Sequence, residues 1–485
     1  MPPGLNYWIA RFAFEKGVAL TYFIAFLVVV NQFRPLLGER GLLPVPVFAR
    51  RVSFRQSPSL FLWLSKDWAF LSAGCVGVGL SCLALSGWAD HRFWSSAVIW
   101  GILWVLYLSF VNVGQTFYAF GWESILLETG FFTIFSGSLG TAPQLVLIWI
   151  WRWILFRIMF GAGLIKLRAD PCWKKLTCLD YHFETQPIPN PLSWYLHWLP
   201  AQAHKGGVLF NHFVELAVSF GYFAPQPIAA IAGLFTILFQ VILMLSGNLS
   251  WLNFITIVLA ISTLDDRWLR HVVPAHAPPL HPAPLAYQMI IWILAALVVW
   301  LSIPPVKNMF SERQLMNYSY NPVHLVNTYG AFGGVTRSRY EIAVEGTTDS
   351  EIKPSTVWHE YEFRGKPGRT GRMPPQIAPY HLRLDWLMWF AAMRPDPPLW
   401  FVQFAGKLLA GDRAVLSLLK TNPFPNAPPQ YLRALLYEYR FTTRDERRAT
   451  GQWWSRTLAG TYLQPLALRA GRPSHATPRQ SPRRG

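Results

Sequence analysis

Six apolar runs govern what this chain can become. Residues 17–33, 68–87, 94–113, 145–165, 228–247 and 287–303 each approach the roughly 20 residues that a helix needs to cross a bilayer. Within hydrocarbon every backbone amide must find a partner inside the chain, so such runs fold as helices. Runs 208–223 and 251–264 are shorter and read as packed or partly inserted helices, giving an expectation of six or seven spans. Only 14% of the 485 residues are charged, where a soluble chain carries about 25%. The 24 tryptophans suit helices that end at membrane–water boundaries. No small-residue cleavage site follows the first run, so it reads as an uncleaved anchor.

The runs are not clean. Glu123 and Glu128 lie in the apolar stretch 117–136, which therefore reads as re-entrant or as lining an interior. Arg152, Arg157 and Lys166 lie in the next one. An ionisable group at membrane depth costs about 2.5–3.5 kcal/mol on insertion scales and faces a partner or a cavity. The plain reading is interhelical pairing, with the arginines answering the glutamates; a functional cavity is the other. Lys166 stands at a helix end, where its ammonium either snorkels to the interface or, in a dry site, serves as a base. Asp170 would oppose that second role by favouring the ammonium.

After residue 303 the texture changes. "SRYEIAVEGTTD", "TVWHEYEFRG", "YLRALLYEYRFTT" and "GQWWSRTLAGTYL" read as strands, and "RLDWLMWFAAM" and "LWFVQFAGKLLAG" have helical spacing. The expected architecture is a multi-span α-helical membrane domain (residues 1–303, with a structured loop at 161–206), then a water-facing α+β domain (304–465). That second domain would contain a small antiparallel sheet, and a basic disordered tail (466–485) would follow it. The chain carries a net charge of +18, with five arginines and no acid in its last 17 residues, and such a tail suits anionic lipid headgroups. Nothing resembles a nucleic-acid module. Residues 34–66 hold Arg34, Arg40, Arg50, Arg51, Arg55 and Lys66 against Glu39, which by the positive-inside rule places that loop in the cytoplasm.

The densest pattern is "GAGLIKLRADPCWKKLTCLDYHFETQPIPNP", residues 161–191. Cys172 and Cys178 either form a small disulfide loop or stay reduced, according to compartment; their spacing is not that of a redox Cys-x-x-Cys. Cys75 and Cys82 read as core residues of a span. His212 and Glu215 of "NHFVE" share a helical face and make the best metal pair, but no second ligand cluster joins them, so no metal is expected. A GxSxG elbow, a P-loop and an HExxH motif are absent.

This stretch, with "FGWESILLETGF", "LTCLDYHFETQPIPNPLSWYLHWLP", "NTYGAFGGVTRSRYEIAVEGT", "WHEYEFRGKPG" and "PYHLRLDWLMWFAAM", resembles the lipase maturation factor family across residues 115–440. The resemblance implies a membrane-embedded factor that helps secreted proteins, lipases above all, to fold and assemble. It would sit in the endoplasmic reticulum membrane of a eukaryote or the inner membrane of a bacterium. The ending "SPRRG" lacks a retention signal, which suits the bacterial case. The motif residues Asp180, Tyr181, Glu184, Pro187, Pro189 and Pro191 would contact client or hold structure. Trp386, Trp389, Phe390, Trp453 and Trp454 would form a client surface or the domain core. A shorter likeness links "AGLIKLRADPCW" to the membrane domain of vitamin K-dependent γ-carboxylases, whose catalytic base falls on Lys166, with Pro171 and Cys172 inserted before Trp173. It implies the alternative of an enzyme modifying its clients with a quinone or lipid cofactor, with Lys166 as base and Asp170, Asp180, His182 and Glu184 lining the site. The partners implied are membrane lipids and a secreted client.

Overall fold

Long apolar helices that must also shelter charges pack by facing those charges inward. The computed structural model describes residues 7–469 and 472–475. Five helices are long and apolar enough to cross a membrane: α1 (Trp8–Leu37), α2 (Asp67–Ser86), α3 (Phe93–Val113), α4 (Leu145–Ala169) and α5 (Ile228–Ser246). A sixth, α6 (Leu285–Leu301), bends by 40° into Ile303–Met309, so the described residues hold five spans, or six with the bent pair, beside the six or seven expected. The helix Gly121–Thr133 has 13 residues and buries all but Phe131. It is too short to cross and lies wholly inside the bundle, with Glu123 and Glu128 both 0% exposed.

Cys75 and Cys82 are exposed rather than core residues. The buried face of α2 is the small-residue stripe Gly74, Gly77, Ser81 and Ala84, which packs on α1 and turns both thiols outward.

Beyond the last span the chain forms an antiparallel sheet of order β2-β1-β3-β4-β5: β1 (Arg339–Thr347), β2 (His359–Glu360), β3 (Tyr431–Phe441), β4 (Trp454–Arg469) and β5 (Arg472–His475). The central pair runs in register from Arg339 opposite Tyr439 to Thr347 opposite Tyr431. Period-two alternation suggests a half-exposed β1, yet every residue except Tyr340 is buried, because helix Arg383–Ala392 packs against the strand and its glutamates are paired. Glu341 lies between Arg339 and Lys366, and Glu345 meets Arg433 at 2.9 Å. The sheet continues past residue 465 through β4 and β5, so the expected tail is partly strand, and its residues 476–485 lie outside those described.

The domain grips one end of the bundle. The side-chain amide of Gln32, near the end of α1, donates to the His381 carbonyl at 2.7 Å and accepts from the Arg383 amide at 3.0 Å. Asn112, near the end of α3, reaches the Pro322 carbonyl. The basic loop 34–66 leaves α1 at this same end, and its Ser57 bonds the Asn112 carbonyl. Cys172 and Cys178 follow α4 here too and are disulfide-bonded, with Cα atoms 4.9 Å apart. Basic loop, disulfide and sheet domain therefore share one side of the membrane. Charge counting assigns that side to the cytoplasm, whereas a disulfide assigns it to an oxidising compartment.

The strongest grip is ionic. Arg383 donates to Glu123 and to the Phe117 carbonyl, both at 2.7 Å, and lies 3.4 Å from the centre of the Tyr118 ring. Tyr107 also donates to Glu123. Removing one member of a buried pair strands the other, so Arg383→Ala should cost about 3–5 kcal/mol. The check is a lower midpoint in heated, detergent-solubilised protein followed by size-exclusion chromatography.

A buried polar seam as candidate functional site

Lys166 ends the apolar part of α4, but its ammonium does not snorkel outward. It is 4% exposed and donates to Glu215 at 2.5 Å and Asn211 at 2.9 Å, with the Trp173 ring centre 5.1 Å away. An ammonium has three donors, and here two hydrogen-bond acceptors and an aromatic face answer them. Asn211 in turn donates to the second Glu215 oxygen at 2.9 Å. The short π-helical turn Phe213–Ala217 carries Glu215; such widened turns recur at functional sites. Close approach requires glycine on α4: a Cβ on Gly163 would meet Leu216 at 2.6 Å, and one on Gly161 would meet the Tyr329 carbonyl at 2.5 Å. That accounts for "GAG".

The acids expected around Lys166 lie elsewhere. Asp170 caps the turn Pro171–Lys174 through the Cys172 amide and binds Arg337 at 2.9 Å and the Val335 amide at 3.2 Å. Burial alone would raise its carboxyl, but Arg337 and these two amides hold it below the ordinary value. Arg337 also covers the Tyr181 ring. Asp180 pairs with His204 at 2.8 Å. His182 is buried edge-on to Phe332; burial first, then the Lys166 charge, pushes it down to about 4. Glu184 accepts from the Phe441 amide of β3 at 2.6 Å, and burial raises its carboxyl. His212 turns to the Trp173 carbonyl while Glu215 faces Lys166, so that pair does not converge. Among the described residues no three His, Cys, Asp or Glu side chains gather to hold a metal.

What "ETQPIPNP" does is fasten the two parts together. Arg339, at the start of β1, donates to the carbonyls of Glu184, Gln186 and Pro187 in succession. Asn248, just past α5, donates to the Pro189 carbonyl and accepts from the Ile377 and Ala378 amides. Pro187 and Pro189 are buried and Pro191 is half-buried. Trp389 donates to the Thr185 carbonyl at 3.0 Å, and Trp386, Trp453 and Trp454 are buried in packing, which leaves Phe390 exposed among the five aromatics.

The intramembrane charges complete the seam. Arg157 pairs with Glu128, and both are fully buried. Glu128 also accepts from the Asn327 amide at 3.1 Å, the Asn327 side chain at 3.0 Å and the Tyr329 hydroxyl at 2.7 Å, all in the segment leading to β1. Among the described residues Arg152 pairs with no glutamate: it donates to the Ser262 and Tyr222 carbonyls and the Tyr7 hydroxyl, and Glu123 is answered by Arg383 instead. A sequence pairs only the charges it places near one another. Arg339, Arg383, Asn327 and Tyr329 were missed because their partners in the bundle and its proline-rich loop lie 150 or more residues away; the one usable signal was Asn211 and Glu215 at i and i+4 in "NHFVE".

Comparison with known proteins covers both halves. The lipase maturation factor transmembrane domain matches residues 9–271, and the lipase maturation factor C-terminal domain matches residues 325–464. The chain is 42% identical to lipase maturation factor 1 of Mus musculus over 96% of its own length and 88% of the relative's. It is 41% identical to that of Homo sapiens, over 96% and 89%. Lipase maturation factor 2 of Xenopus tropicalis is 29% identical over 95% of this chain and 82% of its own. No solved structure matches.

Two outcomes follow. Lys166→Met and Glu215→Gln should each destabilise by about 3–5 kcal/mol, and Lys166→Met with Glu215→Met should recover only part of that loss, because Asn211 then loses both of its partners; melting in detergent reads both. A carboxyl held below its unfolded value of 3.8 lends stability above that pH and withdraws it as pH falls through the folded value. Amides near Val335 should therefore lose hydrogen-exchange protection on acidification below about pH 4, and Asp170→Asn should show the low protection at every pH.

Proposed function

The chain belongs to the lipase maturation factor family, and from that premise we propose a membrane-embedded factor that assists folding and assembly of secreted clients, lipases among them, without chemistry of its own. The observation that carries this is the likeness itself, which runs through spans and sheet domain alike over 96% of the chain. The seam supports it: Lys166, the one residue with a catalytic parallel, has every donor direction taken. A general base must be able to reach the proton it removes, and here Glu215 stands in the way. The Cys172–Cys178 bond supports a sheet domain facing an oxidising compartment, the reticulum lumen in a eukaryote or the periplasm in a bacterium. An apolar groove of about 600 Å3 between α4 and α6, lined by Trp149, Trp153, Val298, Ser302 and Lys307, suits a lipid acyl chain or the tail of a quinone.

Complementation tests this. In cells lacking the protein, the Lys166→Met, Glu215→Met double variant, which has no titratable group at that position, should still restore lipase activity per unit lipase antigen. Normal membrane levels and wild-type melting with inactive lipase would instead overturn a purely structural role for Lys166.

A further inference from the structure

On the orientation proposed above, the basic loop between α1 and α2 sits on the side that charge counting would not assign to it. Ser57 and Ser59 bond the Asn112 and Ser109 carbonyls at 2.7 and 2.8 Å, and Asn112 returns a bond to the Pro58 carbonyl at 2.9 Å. The loop is thus fastened to the end of α3. From this base it turns apolar groups outward: Phe54 and Trp63 stack with ring centres 4.9 Å apart while 49% and 70% exposed, and Leu60 and Leu64 are each 43% exposed. Trp63 precedes α2 by four residues, and Trp68, in the first turn of that span, is 63% exposed. These rings lie where a span leaves hydrocarbon.

The cations beside them are unclaimed. Arg34 and Lys66 are bridged to Asp67 and Glu39, but Arg50, Arg51 and Arg55 are exposed and have no ion-pair partner among the described residues. We propose that this loop is a binding site for anionic phospholipid headgroups: Phe54 and Trp63 enter the interface and Arg50, Arg51 and Arg55 bind phosphate. Aromatic rings settle at the headgroup level, and arginine forks match phosphate oxygens in pairs. An acidic client segment would satisfy the arginines but would leave the stacked rings and both leucines without an apolar partner at a membrane boundary.

The test uses the full chain reconstituted in phosphatidylcholine vesicles with and without phosphatidylserine. Retention of spin-labelled phosphatidylserine over spin-labelled phosphatidylcholine is read by electron paramagnetic resonance. Replacing Arg50, Arg51 and Arg55 with Gln should lower that preference, by roughly fivefold per arginine at low salt. Iodide quenching of Trp63, taken as wild type minus Trp63→Leu, should fall when the protein moves from detergent to phosphatidylserine vesicles. All these side chains are exposed, so the variants keep the fold, which size-exclusion elution confirms. Equal lipid preference in wild type and triple variant would overturn the proposal. So would a triple variant that loses client maturation while keeping its lipid preference, which would make the loop a client surface.

Discussion

Glu128 is the constraint on which the rest of the molecule hangs. A carboxylate fully inside a helical bundle survives only if charge and hydrogen bonds answer it together, and no single element of this chain supplies both. Arg157 brings the charge from α4, while Asn327 and Tyr329 bring three donors from the segment that begins the sheet domain. The membrane part is therefore incomplete by itself, and the water-side part is placed by the defect it fills. Glu123 with Arg383 repeats the arrangement, and Arg339 on three carbonyls of the proline-rich loop inverts it, with the cation now outside the bundle.

This makes the two halves one mechanical unit. A hinged pair of domains would meet through a modest polar surface. Here buried contacts, three of the four charged, come from α1, α4, the Gly121–Thr133 helix and the loop after α4, and an exposed one comes from α3. Such rigidity lowers the cost of binding any partner, because less of the chain itself is ordered on contact.

Much of this was legible. Apolar length and alternation located the five clear spans, the re-entrant-length helix and three of the strands, since each depends on local periodicity. β2 shrank to His359–Glu360 because only Gly346 and Glu345 pair with it, and the alternation of β1 does not carry into exposure because salt bridges let its glutamates be buried. At the site, sequence proximity misled: Asp170 lies four residues from Lys166 yet serves Arg337, and Arg152 lies near two glutamates yet serves carbonyls. What decides those partners is which distant segment arrives at each charge, and no local pattern records that.

The seam also orders events in time. The ribosome delivers α4 and the Gly121–Thr133 helix before it has made Asn327, Tyr329 or Arg383. Arg157 can meet Glu128 early, but the remaining acceptor positions on Glu128, and the charge of Glu123, wait for residues synthesised 199 and 260 positions later. During that interval the bundle holds open polar positions, so its final packing waits until the segment leading to β1 and the helix Arg383–Ala392 have been made. For a protein whose relatives are maturation factors, its own maturation is completed last from its C-terminal end.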